Sequence, residues 1–82
     1  MRIVLTDLEK VSDPQTLEEF DLNEELGVWT HTGIIYVLKN LKVREKLRVI
    51  VHEVTEYVLC VRLGLKRRYA HFVAGLIERI II

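Results

Sequence analysis

The sequence predicts an α+β fold: a small antiparallel β-sheet packed against one long helix and a C-terminal helix, in a single domain spanning residues 1–82. Three observations predict it. Two runs rich in β-branched residues, Met1 to Leu5 and Ile34 to Leu38, have strand character. From Lys42 onward apolar residues recur at Val43, Leu47, Ile50, Val54, Val58 and Val61, which is helical spacing. A second helical pattern runs from about Tyr69 to the end, with Tyr69, Val73, Leu76 and Ile80 on one face.

Taken in order, the first strand ends before Ser12-Asp13-Pro14, where Asp13 is positioned to cap a helix and Pro14 to occupy its first position. A short acidic helix through Leu17, Phe20 and Leu26 follows, with Gly27 ending it. Val28 to Thr30 and Ile34 to Leu38 then form two strands around His31-Thr32-Gly33, as a small hairpin or one bent strand. Asn40 is placed to cap the long helix, which should stop at Gly64. Leu65 to Arg68 make a basic connector into the last helix.

Composition bounds the function. A chain of 82 residues, half of them hydrophobic and with mean hydropathy +0.20, has material for one small core and is not a disordered chain. No apolar run approaches the roughly 18–20 residues a membrane span requires, so a soluble, cytoplasmic chain with nothing to cleave is expected. Net charge is zero, which argues against binding nucleic acid through bulk charge. Residues 1–26, however, carry two basic and eight acidic residues, a net of −6, so the remainder is +6. The acids of that remainder are Glu45, Glu53, Glu56 and Glu78, and three of them fall in one pattern with His52 and His71. Cys60 is the single cysteine, which excludes an internal disulfide and a cysteine-based zinc cluster. A metal would use histidine and carboxylate.

His52-Glu53-Val54-Thr55-Glu56 is an H-E-x-x-E pattern inside the long helix. At about 100° per residue His52 and Glu56 lie one turn apart on one side, where they can chelate one ion. Glu53 lies about 100° from His52, close enough to reach a water on that ion without being a ligand. His71 and Glu78 are seven residues apart on one face of the last helix, with the small Ala74 and Gly75 between them to allow close helix approach. Buried carboxylates and imidazoles without a cation are expensive, and a divalent ion satisfies them together. Two histidines and a carboxylate around zinc, with an open position for water and a nearby Glu as base, is the arrangement of a hydrolytic site.

These residues carry a resemblance. His52-Glu53-x-x-Glu56 is similar to the H-E-x-x-H helix of the zincin metallopeptidases, and Gly27-Val28-Trp29 with Ile34-Ile35-Tyr36-Val37 looks like the strand pair that precedes that helix in compact gluzincins. The chain also resembles small phage-type proteins with H-E-x-x-E followed, a dozen or so residues on, by H-x-x-x-x-x-x-E, matched here by His71 and Glu78. The resemblance covers about residues 27–80. It implies a zinc ion held by His52 and position 56, with Glu53 as the general base. Position 56 departs from the zincin pattern in being Glu, and His71 stands where gluzincins take a later Glu, so histidine and carboxylate have exchanged places. His71 is taken as the third ligand and Glu78 as a group orienting a ligand imidazole; in a simple antiparallel helix hairpin Glu78 would be the third ligand instead.

The implied function is a minimal zinc-dependent metallopeptidase. Its peptide or protein substrate would lie extended along the strand near Ile34 to Val37. So short a chain leaves little room for a walled cleft, and low or latent activity is expected. The rival is a non-catalytic metal-binding or protein-interaction module with the same fold. In the plainest reading His52 and Glu56 are an i, i+4 pair and His71 is a surface residue. His31 reads as a surface turn residue, Cys60 as a small hydrophobe, and Trp29 and Tyr36 as core aromatics, with Trp29 also able to line a cleft. Lys66-Arg67-Arg68 reads as a solvated loop, with nucleic-acid contact as the third class of function. Ile80-Ile81-Ile82 is either internal packing or a homodimer contact.

Overall fold

The computed structural model describes residues 1–81; Ile82 and the Ile81 side chain, and with them that part of the Ile80–Ile82 dimer expectation, lie outside the described residues. The elements in chain order are β1 (Arg2–Thr6), β2 (Lys10–Ser12), β3 (Glu19–Asp21), α1 (Leu22–Glu25), β4 (Gly27–Trp29), β5 (Ile34–Leu38), α2 (Val43–Tyr57), a π-helical turn (Val58–Arg62) and α3 (Arg67–Ile81). The α+β class holds. No helix among the described residues is long and apolar enough to cross a membrane.

The main sheet is mixed rather than antiparallel, with strand order β1-β5-β4. β4 and β5 are joined by a tight turn, where the Gly33 amide donates to the Thr30 carbonyl at 3.0 Å, and must run antiparallel; Gly27 pairs with Val37 and Trp29 with Ile35. β1 pairs parallel to β5, from Arg2 opposite Ile34 to Thr6 opposite Leu38. The chain between them runs through β2, β3, α1 and β4 before it returns, and so enters β5 in the direction of β1. Because β5 is paired on both sides, it cannot take an extended substrate, which corrects the expectation for Ile34 to Val37.

The acidic helix expected over residues 14–26 is replaced by a hairpin and one helical turn. Asp13 accepts from the Gln15 amide at 2.9 Å, as a helix cap would. Leu17 then adopts φ 62°, and the Asp13 amide donates to the Glu18 carbonyl, which folds β2 back onto β3. Asp21, not Asp13, caps the following single turn through the Asn23 amide at 2.9 Å. That turn ends in Leu26 at φ 63°, so Gly27 is not the stop.

Gly27 opens β4, and a Cβ there would collide with Val49 Cγ1 of α2 and meet Glu53 Cγ at 3.2 Å. The missing side chain lets α2 lie close on the sheet. Gly27→Ala is therefore expected to destabilise the fold by roughly 1–3 kcal/mol, a cost of overpacking readable as a lowered denaturant midpoint at unchanged m-value.

Side-chain alternation divides the core between the two sheet faces. Trp29, Ile35 and Val37 face α2 and pack with Tyr57, Val49, Ile50, Val54, Leu41 and Cys60. Val28, Tyr36 and Leu38 face the hairpin and α1, packing with Val11, Phe20 and Leu22. The face of α2 in contact is thus Val49, Ile50, Val54 and Tyr57. Val43 and Leu47, assigned to that stripe by spacing, are 73% and 51% exposed. The π turn adds a residue after Tyr57, so Val58 and Val61 leave the line as well. Lys42 is the N-cap residue of α2 and makes no side-chain cap, so Asn40 does not cap it.

α3 starts two residues before the expected Tyr69. Its inward face is Ala70 and Ala74, both fully buried, whereas Tyr69, Phe72, Leu76 and Ile80 point outward. The small side chains sit where α3 meets α2, as their size suggests; Gly75 has nothing within 4 Å of a built Cβ and does not set that contact.

Candidate metal centre

His52 and Glu56 project from adjacent turns of α2 toward α3, which brings His71 from its own first turns. The three side chains converge on one point. His52 Nε2 lies 2.5 Å from Glu56 Oε2, His71 Nδ1 lies 3.0 Å from the same oxygen, and the two imidazole nitrogens are 3.1 Å apart. Ligands in a tetrahedral zinc shell with bonds near 2.0–2.1 Å stand about 3.3 Å from one another, so a small outward movement of these donors accommodates the ion.

Glu78 completes the arrangement from the far side of the ring. His52 Nδ1–H donates to Glu78 Oε2 at 2.9 Å, which leaves Nε2 as the nitrogen turned to the cluster. Of the two candidates for third ligand, His71 is in the three-donor group and Glu78 holds the outer nitrogen of His52. The two helices bring the beginning of α3 level with Glu56, a crossing that residue counting along a parallel hairpin does not reproduce. The donor set of two nitrogens and one oxygen, with a carboxylate fixing one imidazole, fits zinc. His71 is the outermost member, with its side chain 69% exposed.

The charges support one another. Hydrogen bonding to Glu56 raises the His52 imidazole to about 9, with Glu78 adding to this against the opposing effect of burial. Burial pushes the Glu56 carboxyl up most strongly of any single influence, but hydrogen bonds from His52 and His71 outweigh it and leave Glu56 below the usual range. Trp29 contributes a long hydrogen bond, its Nε1–H donating to Glu56 Oε1 at 3.4 Å.

Glu53 stands outside the three-donor group and lines a cleft of about 810 Å³ beside it, together with Trp29, Gly27 and Val49. This volume falls within the range of small-molecule and cofactor sites and exceeds what the chain length led us to expect. Burial, then the negative charge of Glu56, pushes the Glu53 carboxyl up to about 8. The Trp29 backbone amide hydrogen-bonds to it and acts in the opposite direction. That amide is available because Val28, between Gly27 and Trp29, is the residue of β4 turned to β5. The ladder bonds on either side, Thr30 N–H to Ile34 and Leu38 N–H to Leu26, set this alternation. β4, not β5, is therefore the strand whose open edge borders the cleft.

Two features escaped the sequence reading. Asp13, 2% exposed, accepts from the His31 backbone amide at 2.9 Å and pairs with His31 Nδ1 at 2.7 Å. Burial raises the Asp13 carboxyl, yet these bonds and that from Gln15 hold it at about 2. His31, read as a surface turn residue, thus anchors the β4–β5 turn to the hairpin and packs at 5.0 Å from the Trp29 ring. The second feature is the basic connector, whose Arg67 and Arg68 both line the cleft. The placement of Gly27 and Trp29 on one face of a strand was the available signal that Trp29 turns toward α2; the partner of Asp13 had none. No family model matches the chain, and neither does any curated protein or solved structure.

Proposed function

We propose that the protein is a zinc-dependent hydrolase of peptide bonds, a minimal metallopeptidase of zincin-like type. The observation that supports this most is the meeting of His52, Glu56 and His71 at one point beside a cleft that Glu53 lines. His52, Glu56 and His71 would hold the ion, and Glu78 keeps the His52 ring in the ligating tautomer. Zinc bound there supplies a Lewis acid that acidifies water and polarises a carbonyl oxygen. Glu53 takes the proton from the attacking water at its carboxylate and passes it to the leaving nitrogen. Desolvation of Glu53 in the cleft raises its basicity toward neutrality, which suits a group that must both accept and return a proton. The substrate backbone lies along the open edge of β4, with Trp29 beneath it.

The reading is tested by the zinc content of the purified full chain, measured by mass spectrometry. About one zinc per chain is expected in the wild type, with loss in His52→Ala, Glu56→Ala and His71→Ala. Absence of zinc from the wild type after metal is added back overturns it.

A non-catalytic module with the same fold is favoured by a separate observation. The cluster is satisfied by its own hydrogen bonds, and no described buried side-chain nitrogen or oxygen lacks a partner. In that case the polar group stabilises the α2–α3 contact, zinc is retained or dispensable, and Glu53 has no role in turnover.

A further inference from the structure

Arg67 and Arg68, at the start of α3, line the cleft and have no part in the chemistry above. Arg67 lies over the Trp29 indole, its Cζ 5.1 Å from the ring centroid, and its Nη1 reaches Glu18 Oε2 at 3.5 Å. Glu18 belongs to the turn between β2 and β3, and Phe20 of β3 lines the same cleft. The ion pair therefore straps the hairpin to α3 over one end of it. The strap is loose. Its partners are each about half exposed, and a single 3.5 Å contact leaves the two-pronged capacity of the guanidinium for a carboxylate unmet. Pairs of this kind contribute little and exchange readily for another carboxylate.

The same indole that carries Arg67 also donates to Glu56 of the metal group. This shared platform sets the guanidinium within about three residues of extended chain, at roughly 3.3 Å per residue, from the Glu56 carboxylate. Elsewhere the lining discourages a negative group, because α1 contributes Glu25 to it.

We propose that the cleft selects peptides bearing a carboxylate within about three residues of the group seated at the cluster, at the roughly 3.3 Å per residue of extended chain. Arg67 is the specificity-determining residue and Arg68 stands beside it. The incoming carboxylate displaces Glu18 from Arg67 and takes both prongs of the guanidinium. What occupies the cluster end rests on the peptidase reading; recognition of the carboxylate does not. A side-chain carboxylate and a free C-terminus share this chemistry.

Trp29 is the only tryptophan, so its fluorescence reports events at Arg67 directly. The test titrates the full chain, with EDTA and with zinc, with four alanine-based hexapeptides. They carry an internal Glu or Gln and a free or amidated C-terminus. In the EDTA-treated protein the charged peptides are expected to bind about tenfold more tightly than the neutral one. Comparing the Glu amide with the Gln free acid tells which carboxylate is used. Arg67→Gln should erase the preference, Arg67→Lys should restore part of it, and Glu18→Gln should tighten binding a few-fold. Equal binding of all four peptides by the wild type, or a preference that survives Arg67→Gln, overturns the proposal. If zinc never binds yet the preference is present, the peptidase reading fails and this one stands. Zinc binding and hydrolysis with no preference for the carboxylate overturn this one alone.

Discussion

Glu53→Gln is expected to retain one zinc per chain while losing about 10²- to 10⁴-fold in hydrolysis of a fluorogenic peptide, the usual contribution of a general base. The expectation comes from its position. Glu53 follows His52 directly, so helical geometry turns it out of the three-donor group and into the cleft. It stays close enough to Glu56 for that charge to raise its pKa. The substitution keeps size and hydrogen bonding to the Trp29 amide and removes the ability to accept a proton. Since only the ionised form is a base, wild-type turnover should rise with pH to a plateau, and Glu53→Gln should remove that limb. Zinc loss in Glu53→Gln would make Glu53 a ligand instead; wild-type turnover would leave the non-catalytic module as the reading.

The second large effect is a reversal of pH dependence by the metal. In the zinc-free protein His52 has its pKa raised from 6.5 to about 9. Its contribution is therefore complete below pH 6.5 and is lost as pH rises through 9. Glu53, raised from 4.5 to about 8, keeps its proton when the unfolded chain has released one, so stability also falls between pH 4.5 and 8. Glu56 is lowered, and its contribution is present above 4.5 and lost on further acidification. Zinc-free protein should be most stable near pH 5 and lose on the order of a few kcal/mol by pH 9. Zinc requires His52 Nε2 without its proton, so apparent affinity should gain about tenfold per pH unit below 9. Thermal unfolding with EDTA and with zinc from pH 5 to 9 checks this: the separation between the two curves should widen with pH. A constant separation would place the ion elsewhere.

Much of the site was legible because it depends on local periodicity. The spacing of His52 and Glu56 on a helix, the stop near Gly64 and the β4–β5 hairpin all follow from residues within a few positions of one another. What was not legible depends on distant pairing or on unusual backbone. The direction of β1 beside β5 is decided by the path of the intervening chain, which alternation of side chains does not encode. Leu17 and Leu26 both adopt positive φ, a conformation that leucine does not advertise, and these two residues turn an expected acidic helix into a hairpin and a single helical turn. The α2 stripe was misphased for a related reason. Val43 and Leu47 match the period but precede the region where the sheet lies against the helix, and the π turn breaks the period after Tyr57. His71 and Glu78 could be chosen as partners of His52 from the sequence, but their roles depended on the crossing of two helices, which small residues at Ala70 and Ala74 permit without specifying.

The π turn at Val58–Arg62 makes the three-donor group sensitive to insertion and deletion in a way that substitution does not test. A π turn holds one more residue than the α-helical turn it replaces. Excising one residue, such as Cys60, would let the segment relax to plain α-helix and shift the phase of everything beyond it by about 100°. His52 and Glu56 lie upstream and would keep their places, whereas His71 would be carried round and away from them. Counting error of a single codon would thus convert three converging donors into two. For anyone grafting this helix pair onto another scaffold, the length of that segment is as much a part of the site as the histidines.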